Sequence, residues 1–384
     1  MRKLFKLAIA SLTLLSAQAN YELLASSGEY NYNLPQQTFW ISTSLRMMNT
    51  GEVCFSMGGA AGGISGYAFL CGDNGDNMKR YLVPQNEAVS DFYLFDDGNT
   101  GDKHIVFAPN NGSEHLGIYT FNLRTGKRLE HENFEGQFTG LSGVAMNEED
   151  VLVYRQSFGG KRARIVMRNL DGENDLFSSF SKDIGYVFTP QTSGNYVLTK
   201  IRMGRGIAEN QPDRLYLYNM KKGAKQIVMQ DKDGQPSSKI TKIMNTYTVN
   251  HNGDVAVWTE TENGTQLYAS NKGILKSVLT IGDEITKYDA FSPSMNNLGD
   301  ILIRGYDKKN NAAIFAYVDG QWSKVIGEGD VIEMNGVSYE VADATTSPFV
   351  HAPRINDNRV VAFIVYVVNK KTNKLTTMVL KKKL

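Results

Sequence analysis

The sequence predicts an all-β fold, a seven-bladed β-propeller closed by its N-terminal strand. Three observations carry this: a repeat of several strands per unit, turn dipeptides between β-branched runs, and the absence of helical periodicity over ten or more residues.

The repeat is clearest in the C-terminal half. TYTVNHNGDVAVWTETENGTQLYASNKGILKSVLTIGDEI, FSPSMNNLGDILIRGYDKKNNAAIFAYVDGQWSKVIGEGDVI and HAPRINDNRVVAFIVYVVNKKTNKLTTMVLKKKL share one order. Each has an Asn-containing turn, a β-branched run, a polar loop, a second run and a tight turn; a third run, ending near Gly-Asp, follows in the first two. Looser copies fill the N-terminal half. Val53, Ile105, Val151, Val197, Val255, Ile301 and Val361 mark seven units, spaced 46 to 60 residues apart. That period, with several strands per unit, is what a propeller blade needs. Six or eight blades, or a stacked solenoid, are the alternatives.

Turn chemistry agrees. Asn263-Gly264, Asn335-Gly336, Asp171-Gly172 and Asp319-Gly320 supply the positive φ of tight hairpins. A single sheet cannot bury both faces, whereas a ring of seven can, leaving only short edges. Residues 21–29, YELLASSGE, resemble the run that ends other units, and the last unit lacks such a run. The N-terminal strand is therefore expected to complete the last blade. The lysines of the terminal LKKKL discourage edge pairing.

The repeats NHNGDVAVW, NNLGDILI and NDNRVVAF resemble the NxxGxVAF-type tandem repeat of exported bacterial β-propeller proteins. The first four units depart from it at the Asn and Gly positions. The resemblance implies a secreted or surface-attached propeller and brings no catalytic residues.

The first residues agree with export. Arg2, Lys3 and Lys6 precede an apolar stretch, Leu7 to Leu15, and then Ser16-Ala17-Gln18-Ala19. This reads as a signal peptide, residues 1–19, cleaved after Ala19 to leave one propeller domain, 20–384. The stretch is about half of the ~20 residues a membrane span needs. The expected compartment is periplasmic or extracellular, and no segment is expected to span a membrane. The leader takes three of the 41 basic residues and none of the 40 acidic ones, so the remainder is near neutral. That balance argues against a nucleic-acid partner. A monomer is expected.

Cys54 and Cys71 flank a glycine-rich tip, and the midpoint between them falls within it. A hairpin centred there sets the two residues opposite each other, and an exported chain favours a disulfide. Two buried free thiols are the alternative.

Function is less marked. Loops between second and third strands share a face with the loops between blades, the face where propeller ligands usually bind. Several are basic and contribute Arg202 and Arg205. The inter-blade loops contribute Asp283, Glu284 and Asp330, with His351 and Arg354 entering the last unit. These residues are the candidate ligand contacts, as a basic rim around an acidic inner ring. Trp40 is the candidate sugar platform, while Trp258 and Trp322 read as packing residues. The bland alternative is that charged loops only keep the chain soluble.

Catalytic signatures are missing. No GxSxG elbow occurs. The histidines, His104, His115, His131, His251 and His351, form no HxxxH or HxH pair. The segment Asp231-Lys232-Asp233-Gly234 starts like a calcium loop but has Lys242 where the closing Glu belongs. No cofactor is expected, Ca²⁺ being the one ion the inner carboxylates could hold. The reading is a non-enzymatic binding module for a glycan or protein partner. A carbohydrate-active lyase or hydrolase with a carboxylate-lined axial site, or a structural envelope scaffold, are the alternatives.

Overall fold

The computed structural model describes residues 21–27, 40–61, 64–83, 89–109, 116–134, 139–205, 211–282, 284–344 and 347–384. Residues 1–19, which the sequence reads as a signal peptide, lie outside them. Seven antiparallel sheets follow one another along the chain. Blades 1 to 6 cover residues 40–82, 89–134, 140–178, 184–230, 240–280 and 287–327. Blade 7 runs from Val331 to Lys383, and its outermost strand is Tyr21–Ser26, paired antiparallel with Leu375–Lys383. The ring is thus a seven-bladed β-propeller closed by its N-terminal strand. No helix among the described residues is long and apolar enough to cross a membrane.

The second strand of each blade explains the repeat's composition. Val361, Phe363 and Val365 pack toward blade 6, while Ala362 and Ile364 pack toward blade 1. Likewise Val255 and Val257 face blade 4, and Ala256 and Trp258 face blade 6. A strand with core on both faces must be apolar at every position rather than at alternate ones. The buried residues fall into seven clusters, one at each blade–blade junction.

The innermost strands are where the sequence reading fell short, since it placed three runs in each unit. Every blade has a further strand against the axis, and each is bulged or broken. Register slips occur at Ile41/Leu45, Val89/Phe92, Ser142/Ala145 and Ile243/Tyr247. In blades 4 and 6 the strand splits into Ile184–Val187 with Gln191–Ser193, and Lys287–Tyr288 with Ser294–Met295. In blade 7 it shrinks to Arg354–Ile355 and the isolated pairing of Phe349 with Val365. Bulges bend and twist a strand, which crowding at the axis demands, and they break the period-2 signal.

Cys54 and Cys71 are directly opposite in the blade 1 hairpin and form a buried disulfide. The crosslink spans 17 residues, so chain entropy limits its contribution to about 3 kcal/mol. Urea titration with and without reductant should show a loss no larger than that. A several-fold larger loss would mean that the bridge, rather than the strand ladder, holds blade 1 together.

Candidate functional site

The Asn-containing turn joins the first and second strands of a blade, and it builds the site. Asn250 shows its action. Its Oδ1 accepts from the Asn252 and Asp254 amides, 3.0 and 2.9 Å away, closing its own turn. Its Nδ2 donates across to the Asn296 carbonyl of blade 6 at 2.9 Å. Asn296 repeats the pattern, donating to the Asn356 carbonyl at 3.0 Å, and Asn356 reaches the Asn49 carbonyl of blade 1 at 3.4 Å. In blade 3, Asn147 closes the same turn and donates to Asn195 Oδ1 of blade 4 at 3.0 Å. The glycine of the motif has a matching role. Gly253 has φ +81°, and a Cβ there would meet the Tyr196 ring of blade 4 at 2.7 Å.

These turns ring a bowl on the axis with a volume of about 270 Å³. The residue after the turn position lines the bowl in five blades: Asn49, Glu148, His251, Asn297 and Asp357. A second chain of hydrogen bonds links several of them. The His251 amide donates to Asn297 Oδ1 at 3.0 Å. Asn297 donates to Asp357 from its amide at 2.7 Å and from Nδ2 at 2.8 Å. The Asp357 amide donates to Asn49 Oδ1 at 3.2 Å. Ser193 Oγ and His251 Nδ1 lie 2.8 Å apart, and the His251 ring rests on Gly194, where a Cβ would come within 2.9 Å of it.

Arginines and a tyrosine complete the wall. Arg354 Nε donates to the Leu45 carbonyl of blade 1, and Arg46 Nε to the Phe92 carbonyl of blade 2, both at 2.8 Å. Tyr93 of blade 2 reaches Ser193 and the Gly194 amide of blade 4, and burial raises its hydroxyl pKa above the ordinary value. Asp96 and Glu148 come from adjacent blades, and neither carboxylate has a hydrogen-bond or ion-pair partner among the described residues. Burial raises the Asp96 pKa; the nearby Lys103 opposes the shift, and the Glu148 charge adds to it. A carboxylate held partly out of water with no protein donor is a group poised for a ligand.

The bowl opens on the face opposite the one expected from the loops, and of the sequence candidates it holds Arg354 alone. Glu284 is exposed and bonded to Lys308 at 2.6 Å. Asp330 accepts from the Gly327 amide and Lys324, both at 2.8 Å, pinning the exit of blade 6. Those two carboxylates form no inner ring, because Glu284 is spent on Lys308 of a neighbouring loop and Asp330 on its own loop and Lys324. His351 is half-buried against Phe291 and outside the bowl lining. Arg202 is buried and bonded to Asp213 at 2.8 and 2.9 Å, beside Lys200, as part of the blade 4 core. Arg205 lies in a separate groove between blades 3 and 4. Asp283 is outside the described residues, and so is the side chain of Trp40, whose backbone opens the first strand of blade 1. Among the described residues no three His, Cys, Asp or Glu side chains gather as a metal centre.

No family model and no curated protein matches this sequence. Among solved structures it is similar to the β-propeller domain of the Trilobed protease from Pyrococcus furiosus, at 11% identity and TM-score 0.53, over 87% of this chain and 94% of that one. It is similar to the Pyrococcus horikoshii acylaminoacyl peptidase at 9% identity and TM-score 0.55, over 89% of this chain and 52% of that one. A Mycobacterium tuberculosis puromycin-hydrolyzing peptidase matches at 10% identity and TM-score 0.53, over 89% and 55%. The chain spans about half the length of these two peptidases. At such identities the likeness shows the propeller fold alone.

A raised carboxyl pKa makes a directional prediction. Ionised Asp96 is disfavoured in the folded state, so Asp96→Asn should raise the unfolding free energy at pH 7. The gain should disappear as pH falls below the ordinary value of 3.8. Denaturant titrations at pH 7 and pH 3 test this; equal effects at both would show that burial does not penalise the charge.

Proposed function

We propose that this chain is an exported, non-enzymatic binding propeller whose axial bowl takes the hydroxyl-rich end of a glycan. The observation that carries the reading is the unpartnered pair Asp96 and Glu148, facing donors supplied by Arg46, Arg354, Asn297 and His251. Sugar hydroxyls donate and accept at once, so a wall that mixes carboxylates with amide and guanidinium donors suits them. The bowl volume is just under the roughly 300 Å³ at which drug-sized sites begin. That size favours a chain end over an internal stretch of polymer. The basic n-region and short apolar stretch at the start of the sequence support a periplasmic or extracellular site of action.

The test is a microarray of short oligosaccharides probed with the protein of residues 20–384. Retention of glycans sharing one terminal sugar is expected, and the double variant Asp96→Ala/Glu148→Ala should weaken it by about tenfold or more. An unchanged binding profile for that variant would overturn the reading.

The same carboxylates favour one second reading, a glycan-cleaving enzyme. Two carboxylates on one wall, with the Asp96 carboxyl raised by burial, are the kind of pair that acid–base cleavage of a glycosidic bond uses. Mass spectrometry of a retained oligosaccharide after prolonged incubation separates the readings, since only an enzyme yields shortened products.

A further inference from the structure

The face opposite the bowl carries a groove between blades 3 and 4, with a volume of about 270 Å³. It is built from the loop after the second strand of blade 3, the crossover into blade 4, and Gly204 and Arg205 just after the second strand of blade 4. Lys161, Arg162, Lys182 and Arg205 line it together with Ser179 and Ser181, and among the described residues no carboxylate lines it. All four cations are exposed, and none makes an ion pair among the described residues. This contrasts with Lys308 and Lys370 on other loops and Lys324 on the last strand of blade 6, each bonded to an acid. The nearest acid along the chain, Asp183, turns its amide to Ser181 Oγ, and its carbonyl accepts from the Gly204 amide. An aromatic pair flanks the cations. Phe180 is 51% exposed and packs edge-on to Phe158, with the Arg162 guanidinium 5.3 Å from its centroid.

We propose that this groove is a second binding site, specific for acidic oligosaccharides that carry carboxylate or sulfate groups. Four like charges in a concavity, with no ion-pair partner among the described residues, attract an anion. Arginine and lysine suit carboxylate and sulfate oxygens, and the exposed face of Phe180 offers an apolar platform to the C–H face of a sugar ring. A nucleic acid fits less well. The chain has 41 basic and 40 acidic residues, and the field that draws a polyphosphate needs a large basic excess. An anionic membrane fits less well too, because the cations line a concave groove rather than an amphipathic surface. The site stands whether or not the bowl takes a glycan.

The test is calorimetric titration of residues 20–384 with an alginate oligosaccharide and with a heparin-derived oligosaccharide, at low and moderate NaCl. Binding that weakens with salt is expected, and the two probes separate carboxylate from sulfate preference. The variant Lys161→Glu/Lys182→Glu/Arg205→Glu should bind roughly tenfold more weakly or worse. The neutral variant Lys161→Gln/Lys182→Gln should give an intermediate loss, which keeps the test decisive if the triple variant unfolds. Lys309→Glu/Lys371→Glu/Lys374→Glu makes the same change of charge on the same face at blades 6 and 7, and should leave binding intact. Three results would overturn the proposal: no binding at low salt, equal losses from both triple variants, or stronger groove-dependent binding of single-stranded DNA or anionic vesicles. Bowl variants at Asp96 and Glu148 should leave this binding unchanged, so the two sites succeed or fail separately.

Discussion

The structure depends on one constraint: adjacent blades must be joined by polar groups at the axis, where water is scarce and backbone hydrogen bonds run out. Each innermost strand ends there in a turn whose amides cannot pair within its own sheet. The turn asparagine resolves both problems. Its Oδ1 satisfies two amides of its own turn, and its Nδ2 satisfies an acceptor of the next blade. Asn147, Asn250, Asn296 and Asn356 are all buried, where an unmade hydrogen bond costs about 1–3 kcal/mol. Where a blade lacks this asparagine, another group spans the junction. The Gly98 amide of blade 2 donates to the Glu148 carbonyl of blade 3 at 3.2 Å, and Lys103 of blade 2 pairs with Glu52 of blade 1.

That device places function next to architecture. With the turn asparagine committed to the junction, the residue after it faces the axis and is free to vary. Glu148, His251, Asn297 and Asp357 stand at this position, Asn49 takes the equivalent place after Met48, and their differences make the bowl polar and mixed in charge. The fold therefore supplies a ring of turns and leaves one variable side chain on most of them facing the axis, where the proposed ligand would sit. The groove on the other face follows a different rule. Its cations sit on loops outside the asparagine junctions, so their side chains are not tied to holding neighbouring blades together.

Much of the ring could be read from the sequence, because burial of the second strand on both faces leaves continuous β-branched runs such as VVAFIVYVV. The disulfide was legible too, since a hairpin centred on glycines puts Cys54 opposite Cys71. The bowl was not. Its residues come from seven segments far apart in the chain, and bulges erase the alternating pattern of the strands that carry them. The loop-borne charges drew attention to Glu284 and Asp330, whose carboxylates are bound to nearby lysines. The position after the turn asparagine was the signal that could have found the bowl, because it carries a different polar side chain in each repeat, Glu148, His251, Asn297 and Asp357.

The most direct test of the asparagine junction is equilibrium urea unfolding of Asn296→Ala beside Asn252→Ala. Asn252 also donates to the next blade, through the Asn297 carbonyl, but is exposed. Removing the Asn296 side chain strands the Leu298 and Asp300 amides and takes one of two donors from the Asn356 carbonyl, which keeps the Arg359 amide, so a loss of roughly 2–4 kcal/mol is expected, against under about 1 kcal/mol for Asn252→Ala. Equal, small losses from both variants would contradict the account, because the blades would then be held by apolar packing alone.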